Sequence, residues 1–192
     1  MKTKLPKVII YDLDGVVVNS QERYIRSGGD EAIKKGDYNA FRQSLVEYNK
    51  NTDGDLIISK SVEILNNLRQ TLEIEHMIAL TARGEEGKEP TLAFLKQHLP
   101  WEVNETLLYM RPRHLEVAPG IFWKPGMPKF SSVDYKREVV KELMKSYNIV
   151  LAVDDHSYMC EMYWKLGIYA MCMMVPEVDH GTRETKGEVI QG

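Results

Sequence analysis

The chain has 192 residues, of which 43% are hydrophobic and 28% are charged, so it can bury a full core within one domain. A net charge of -3 excludes a strongly basic protein that is drawn to nucleic acid over its whole surface. The two cysteines, Cys160 and Cys172, exclude a disulfide framework, and no segment reaches the roughly 20 apolar residues that a membrane span needs. We therefore expect a single-domain cytoplasmic protein with no membrane partner.

Short apolar runs alternate along the chain with longer segments of helical periodicity. The apolar runs predict buried strands at residues 8–11, 76–80, 106–110, 149–153 and 168–175. The intervening patterns predict helices at residues 61–72, 91–99, 139–144 and 159–166, with Pro90 at the start of the second and Gly167 after the last. This alternation predicts an α/β fold with a mostly parallel, doubly wound sheet and helices on both faces.

Three stretches fall outside the alternation. Residues 20–56 are polar and dotted with glycine, with a helical patch at 40–48, and we expect them to form a small cap-like insertion over the strand ends. Residues 112–132 are rich in proline and glycine and predict a surface loop of a length that is commonly functional. The polar residues 177–192 predict a mobile tail.

The first predicted strand stops at two acidic residues, Asp12 and Asp14, and Gly15 follows at once. Because side chains alternate along a strand, the two carboxylates project to the same side where the strand ends. They repel each other unless a cation or a shared proton separates them. This pattern predicts a hard metal ion such as Mg²⁺ together with a carboxylate nucleophile, and Gly15 permits the tight turn that keeps both groups at the rim.

Polar or charged residues also follow the next three predicted strands. In a doubly wound sheet the ligand crevice lies beyond the carboxyl ends of the strands, so we expect these residues to share one rim with the first acidic pair. They are Thr81 and Arg83 after the second strand, Arg111 and Arg113 after the third, and Asp154 and Asp155 after the fourth.

This set contains the groups that phosphoryl transfer through a carboxylate requires. We assign Asp12 as the nucleophile that forms an aspartyl phosphate and Asp14 as the general acid and base. Thr81 is expected to donate a hydrogen bond to the phosphoryl group, and Lys136, at the start of a helical segment, to supply a positive charge. The predicted Mg²⁺ ligands are Asp12, Asp14, Asp154 and Asp155.

Four of these motifs resemble those of the haloacid dehalogenase (HAD) superfamily of phosphotransferases: Asp12-Leu13-Asp14-Gly15-Val16, Thr81, Lys136 and Asp154-Asp155. A closer resemblance, carried by residues 80–86, 135–138 and 151–167, is to the 3′-phosphatase domain of bacteriophage-type polynucleotide kinase. The resemblance implies a Rossmann-like HAD core with a small cap. It also implies a contact between Arg83 and the phosphate of the substrate.

The sequence leaves the substrate open. No Gly-x-x-x-x-Gly-Lys-[Ser/Thr] phosphate loop of a kinase occurs in the chain. The 111–137 segment carries six basic and two acidic residues with interleaved aromatics, so Arg111 and Arg113 are candidate substrate-binding residues for a nucleic-acid end that carries a 3′-phosphate. An insertion that closes over the rim favours a free nucleoside 5′-monophosphate instead. A non-catalytic protein of the same fold that binds nucleotides or nucleic acid is the alternative from another class.

Overall fold

A computed structural model of the chain describes residues 4–112, 116–118, 121–122, 131–176 and 178. Its strands are β1 (Lys7–Tyr11), β2 (Val18–Asn19), β3 (Leu56–Ile57), β4 (His76–Gly84), β5 (Leu108–Arg111), β6 (Glu116–Ala118), β7 (Ile121–Phe122), β8 (Asn148–Asp154) and β9 (Ala170–Cys172). Its helices are α1 (Gln21–Arg26), α2 (Gly29–Lys34), α3 (Tyr38–Asn49), α4 (Ser59–Thr71), α5 (Lys88–His98), α6 (Ser132–Leu143) and α7 (Ser157–Lys165).

The central element is a five-stranded parallel sheet in the order β5–β4–β1–β8–β9. Strand β1 lies in the middle, with β4 paired to one of its edges and β8 to the other, and its residues from Val8 to Tyr11 are 0% exposed. Strand order reverses on either side of β1, as in a doubly wound sheet, so the predicted fold class is confirmed. The crevice at such a reversal lies at the carboxyl end of β1, where Asp12 follows the strand.

Alternating side chains of β1 feed two separate hydrophobic clusters. Ile9 and Tyr11 point into the cluster that α4 and α5 cover, whereas Val8 and Ile10 point into the cluster beneath α6 and α7. Both faces of a parallel sheet are covered by helices, so its central strand reads as a continuous apolar run. This explains why β1 lacks the polar alternation of a half-exposed strand and why the first acidic residue, Asp12, comes only after its end.

The insertion at residues 20–56 contains more secondary structure than the single helical patch that its sequence predicts. The two short strands β2 and β3 pair in antiparallel fashion at its base, with Val18 opposite Ile57, and α1, α2 and α3 lie between them. The helical patch predicted at 40–48 corresponds to α3, whose first turn is capped by the Asp37 carboxylate. Helices α1 and α2 have six residues each, which is too short for a periodic apolar pattern to predict.

Two other predicted segments are corrected by the structure. The strand predicted at 168–175 is limited to β9, an edge strand of three residues, which among the described residues pairs with β8 on one side. The 112–132 segment was predicted as a loop, but β6 and β7 pair in antiparallel fashion within it. The rest of that segment between Arg113 and Phe130, and the tail at 177–192 apart from Val178, lie outside the described residues.

Within the part of the chain that the structure describes, no helix is both long enough and apolar enough to cross a membrane.

One buried polar contact ties β1 to the segment that follows α5. The indole Nε1 of Trp101 donates to the hydroxyl of Tyr11 at 3.1 Å, and the two rings meet edge to face with centroids 5.5 Å apart.

Tyr11→Phe would leave the indole N–H buried without an acceptor, so we expect the free energy of unfolding to fall by about 1–3 kcal/mol in urea denaturation. The matched control is Tyr169→Phe at a residue that is 83% exposed, where a change within about 0.5 kcal/mol is expected. Equal effects of the two substitutions would contradict the structural role of this hydrogen bond.

Candidate active site

Three carboxylates meet where β1 and β8 end side by side. The register pairs Tyr11 with Val153, and the backbone N–H of Asp12 donates to the carbonyl of Val153 at 2.9 Å. Among the described residues, Asp12, Asp154 and Asp155 form a buried group whose ligand oxygens lie within 4.8 Å of one another. The structure therefore brings together three of the four residues that the sequence predicts as metal ligands.

A single ammonium group bridges two members of this cluster. Lys136 lies on α6, and its Nζ donates to Oδ2 of Asp154 at 2.7 Å and lies 2.9 Å from Oδ2 of Asp12. The side chain is 1% exposed. Burial alone would lower the pKa of Lys136, but the charges of Asp12 and Asp154 outweigh it and hold the pKa well above the ordinary value. Lys136 is therefore a permanent positive charge in this site.

Helix α6 positions Lys136 at the carboxyl ends of β1 and β8. The helix begins with a reciprocal capping box, in which Ser131 accepts from the N–H of Asp134 and Asp134 accepts from the N–H of Ser131. Tyr135 and Val139, on the buried face of α6, pack into the hydrophobic cluster that the helix shares with α7. The cap and the packing together fix the first turns of α6, from which Lys136 reaches the carboxylates.

The carboxylate cluster carries more negative charge than Lys136 neutralises. Burial raises the pKa of Asp12 to about 6; Lys136 opposes this shift, while the charges of Asp154 and Asp14 add to it. Three carboxylates beside one ammonium leave an excess of two negative charges when all are ionised. Carboxylate oxygens are the ligands that Mg²⁺ prefers, so Asp12, Asp154 and Asp155 fit a hard dication in both charge and ligand type.

Gly15 makes room for the cluster. The carbonyl of Leu13 accepts from the N–H groups of Val16, Val17 and Val18 at 3.2, 3.0 and 2.9 Å, so the chain turns sharply after the acidic pair. Gly15 adopts a φ of +79° in this turn, and a Cβ atom there would overlap Oδ2 of Asp155. Glycine is thus required twice, for the backbone conformation and for the position of a cluster carboxylate.

Among the described residues, Asp14 is not part of the buried three-carboxylate group, and its predicted role as a metal ligand stays a prediction. Its carboxylate forms a two-pronged ion pair with Arg83, whose Nε and Nη2 donate to it at 2.9 and 2.6 Å. Burial would raise the pKa of Asp14, but the charge and hydrogen bonds of Arg83, with the charge of Arg23, hold that pKa well below its usual range. The guanidinium thus holds this carboxylate apart from the cluster, although Asp14 is only two residues from Asp12.

The ion pair continues into the insertion through residues that the sequence analysis missed. Nη2 of Arg83 lies 3.0 Å from Oδ2 of Asp55, and Asp55 also accepts from Nε of Arg23 at 2.7 Å. Arg23 donates to the backbone carbonyl of Tyr48 and lies over its ring, 3.9 Å from the centroid. Arg23 and Asp55 are 3% and 7% exposed. Isolated charged residues in a polar insertion carry no sequence signal of such burial.

Arg83 retains one free donor. Its Nη1 is buried and has no hydrogen-bond partner within the described ranges, while its Nε and Nη2 are held by acidic side chains. A buried, permanently charged N–H group without an acceptor is costly unless an anion or water completes it. This donor is therefore a ready contact for a phosphate oxygen, the role that the sequence resemblance implies for Arg83.

Of the three remaining predicted site residues, the structure describes Thr81 and Arg111. Thr81 lies near the end of β4, is 1% exposed and accepts through Oγ1 from the N–H of Arg83 at 3.2 Å. Arg111 ends β5, and burial lowers its pKa while the neighbouring Tyr135 and Asp134 oppose the shift; the structure places it beside the start of α6. Arg113 lies outside the described residues.

Structural comparison identifies the fold. A chain of the Pnkp1/Rnl/Hen1 RNA repair complex superposes with a TM-score of 0.57 and 21% identity, over 90% of this chain and 44% of that one. A haloacid dehalogenase-like hydrolase from Streptococcus pneumoniae matches with a TM-score of 0.53 and 10% identity, over 86% and 83% of the two chains. A hydrolase from Pseudomonas syringae gives 0.52 and 12%, over 87% and 82%. The chain has the HAD-like α/β fold, as the sequence predicts, and it spans less than half the length of the RNA repair chain.

Sequence comparison adds little to this. No protein-family model matches the chain. The protein translocase subunit SecA of Salinibacter ruber is 38% identical over 86 residues, which cover 42% of this chain and 7% of SecA. The shared segment is too short in both proteins to show a common family.

The contact between Gly15 and Asp155 predicts a specific effect on cation binding. In Gly15→Ala the new methyl group must displace the Asp155 carboxylate, so we expect the affinity for Mn²⁺, followed by electron paramagnetic resonance, to fall about tenfold or more, the scale of disturbing the support of a metal ligand. Gly28→Ala is the matched control, because Gly28 has a similar φ of +77° and open space around it. Both variants share the backbone strain, and only Gly15→Ala is expected to lose affinity. Equal Mn²⁺ affinities in the two variants would contradict this arrangement.

Proposed function

We propose that the chain is a Mg²⁺-dependent phosphomonoesterase that works through an aspartyl phosphate on Asp12. The observation that carries the proposal is the buried cluster of Asp12, Asp154 and Asp155 with Lys136 bridging two of its members. This arrangement places one carboxylate, Asp12, beside both a fixed positive charge and two further carboxylates that suit a cation, as the proposed nucleophile requires. The HAD-like fold, which hydrolases of known structure share at low identity, supports the same conclusion.

Two contacts, one to each carboxylate oxygen, orient Asp12 for attack on phosphorus. Its Oδ1 accepts from the N–H of Leu13 at 2.8 Å, and its Oδ2 lies 2.9 Å from Nζ of Lys136. In the proposed first step, a carboxylate oxygen of Asp12 forms a bond to phosphorus while the bond from phosphorus to the ester oxygen breaks. Lys136 supplies a fixed positive charge beside the phosphoryl oxygens without moving during the reaction.

Asp14 is proposed to handle the proton in both steps. Once the substrate is bound, Asp14 takes up a proton from solvent and gives it to the departing ester oxygen. It then takes a proton from the water that attacks phosphorus, which breaks the bond to Asp12 and releases inorganic phosphate. Arg83 keeps Asp14 ionised in the free protein. A phosphate bound at the free Nη1 of Arg83 would offset part of the guanidinium charge and so raise the pKa of Asp14 toward the value that a proton donor needs.

Asp12, Asp154 and Asp155 are the residues that would hold Mg²⁺, which supplies positive charge to neutralise the phosphoryl oxygens and the attacking carboxylate. The protein contributes the ligand oxygens and the space that Gly15 leaves for Asp155.

A nucleic-acid end that carries a 3′-phosphate is the substrate that we favour. The likeness to a chain of an RNA repair complex supports this choice through the fold alone. The basic and aromatic composition of the 111–137 segment supports it independently, because such segments can track phosphates and stack bases.

A nucleoside 5′-monophosphatase is the second candidate, and a specific contact favours it. Helix α3 of the insertion packs so closely on the turn after β4 that a Cβ at Gly87 would overlap the backbone carbonyl of Asn49. Arg23 of the insertion also lies 4.0 Å from Asp14. An insertion seated this near the site suits a lid over a small substrate.

The central test is Asp12→Asn assayed on a substrate panel. The panel contains a 3′-phosphorylated oligonucleotide, deoxynucleoside 5′-monophosphates and an aryl phosphate, each with Mg²⁺ and with a chelator. Because the amide is not a nucleophile, we expect phosphate release to fall by at least about 10³-fold, with an unchanged circular dichroism spectrum. Asp53→Asn, the same substitution at an exposed aspartate, should retain full activity.

Each outcome of this panel excludes one part of the proposed reaction or selects one of the candidate functions. Turnover by Asp12→Asn close to that of the unmodified protein removes Asp12 as the nucleophile, and full activity in chelator removes the cation. Hydrolysis of free monophosphates without the oligonucleotide selects the second candidate. Binding of nucleotides with no turnover at all would favour the non-catalytic alternative.

A further inference from the structure

Two aromatic rings extend outward from the carboxylate cluster. His156 follows Asp155 directly, and its Nδ1 lies 3.8 Å from Oδ1 of Asp155. The ring of Tyr158 stacks on it, with centroids 4.9 Å apart and an angle of 24° between the planes. Tyr158 is 44% exposed at the start of α7, so one aromatic surface next to the cluster is open to a ligand.

Tyr158 also forms one wall of a cavity between α6 and α7. The cavity has a volume of about 290 Å³ and combines apolar and charged lining residues. Val133, Met162 and Leu166 supply the apolar part, and Arg137, Glu161 and Lys165 supply the polar part. This volume is close to the lower end of the range for small-molecule pockets, about 300 Å³, and suits one planar ring system with part of its sugar.

The charged groups of the cavity are free to change partners. Arg137 pairs with Asp134 at 2.6 Å, and Lys165 pairs with Glu161 at 2.7 Å. All four side chains are at least 36% exposed, and exposed ion pairs of this kind contribute little to stability. Both cations can therefore turn toward a ligand, and Glu161 is left as an acceptor for amino groups of a base.

The position of Tyr158 links the cavity to the cluster. Burial raises the pKa of the Tyr158 phenol to about 12, and the charges of Asp154, Lys136 and Asp155 also act on it. The phenol is therefore neutral in the physiological range, and all three carboxylates of the cluster act on it together with Lys136. The stacked rings of His156 and Tyr158 therefore connect Asp155 of the cluster to the cavity.

We propose that the Tyr158 ring and the cavity beside it form a nucleobase subsite, which holds the base of the nucleoside whose phosphate lies at the carboxylate cluster. The inference rests on the proposed phosphatase function and adds the recognition of a base to it. A base stacks on the exposed face of Tyr158 because every nucleobase offers a π face, which makes the subsite tolerant of sequence. Arg137, Lys165 and Glu161 contact its polar edge or the adjoining backbone.

The experiment compares substrates that differ only in the presence of a base. One pair is a 3′-phosphorylated oligonucleotide that ends in a nucleoside and the same oligonucleotide that ends in an abasic deoxyribose. The other pair is a deoxynucleoside 5′-monophosphate and 2-deoxyribose 5-phosphate. The ratio of kcat/KM within each pair measures what the base contributes, and the two pairs distinguish a strand end from a free nucleotide as its source.

Tyr158→Ala is expected to lower this ratio about tenfold, the typical scale of one base–aromatic stack, and Tyr158→Phe to restore it because the ring is retained. Trp164→Ala is the matched control: Trp164 is on the same helix and 71% exposed, but it does not line the cavity, so its ratio should equal that of the unmodified protein.

Two results would overturn the inference, and they differ from each other. In the first, the unmodified protein hydrolyses both members of a pair and Tyr158→Ala lowers both rates equally. The ring then has only a structural role at the start of α7, and the proposed phosphatase function still stands. If the unmodified protein hydrolyses no substrate of either pair, the proposed function fails and the base subsite fails with it.

Discussion

The bridge that Lys136 makes between Asp12 and Asp154 is the interaction on which the rest of the site depends. It joins the ends of β1 and β8 through α6, at 2.9 and 2.7 Å, in a place where none of the three side chains has more than 10% exposure. Removing one partner of such a buried pair costs about 3–5 kcal/mol, because a charge is left unpaired. The capping box of α6, the register of β1 with β8 and the turn at Gly15 all serve to place these groups.

Two adjacent charge networks shift the pKa values of Asp12 and Asp14, the two acidic residues that follow β1, in opposite directions. Burial and neighbouring carboxylates raise the pKa of Asp12, whereas Arg83 and Arg23 lower that of Asp14. The proposed reaction needs an ionised Asp12 and a protonated Asp14, and each of these two pKa shifts runs against that need. A cation at the cluster stabilises the ionised form of Asp12, and a phosphate at Arg83 weakens its hold on Asp14. Both ligands of the reaction thus move the site toward its working state.

The sequence predicted the sheet and the cluster because strong local signals encode them. An apolar β-branched run that stops at Asp12, and a second that stops at Asp154, fix both the strands and the edge where their carboxylates meet. Arg23 and Asp55, which extend the ion pair of Asp14 and Arg83, are not predictable in the same way. They are 32 residues apart in sequence, and only the packing of a polar insertion on the sheet brings them into one buried network with Arg83. Short helices such as α1 and α2 have no periodic pattern to reveal them.

The most direct test of the account is whether Asp12 carries the phosphoryl group during turnover. The protein is mixed with a 3′-phosphorylated oligonucleotide or a deoxynucleoside monophosphate and Mg²⁺, quenched in acid at times that span the first turnover, and digested for mass spectrometry. The account predicts a peptide containing Val8 to Val17 that is heavier by one phosphoryl group, with the modification at Asp12. A phosphoryl group on any other residue, or product release with Asp12 unmodified throughout the first turnover, would contradict it.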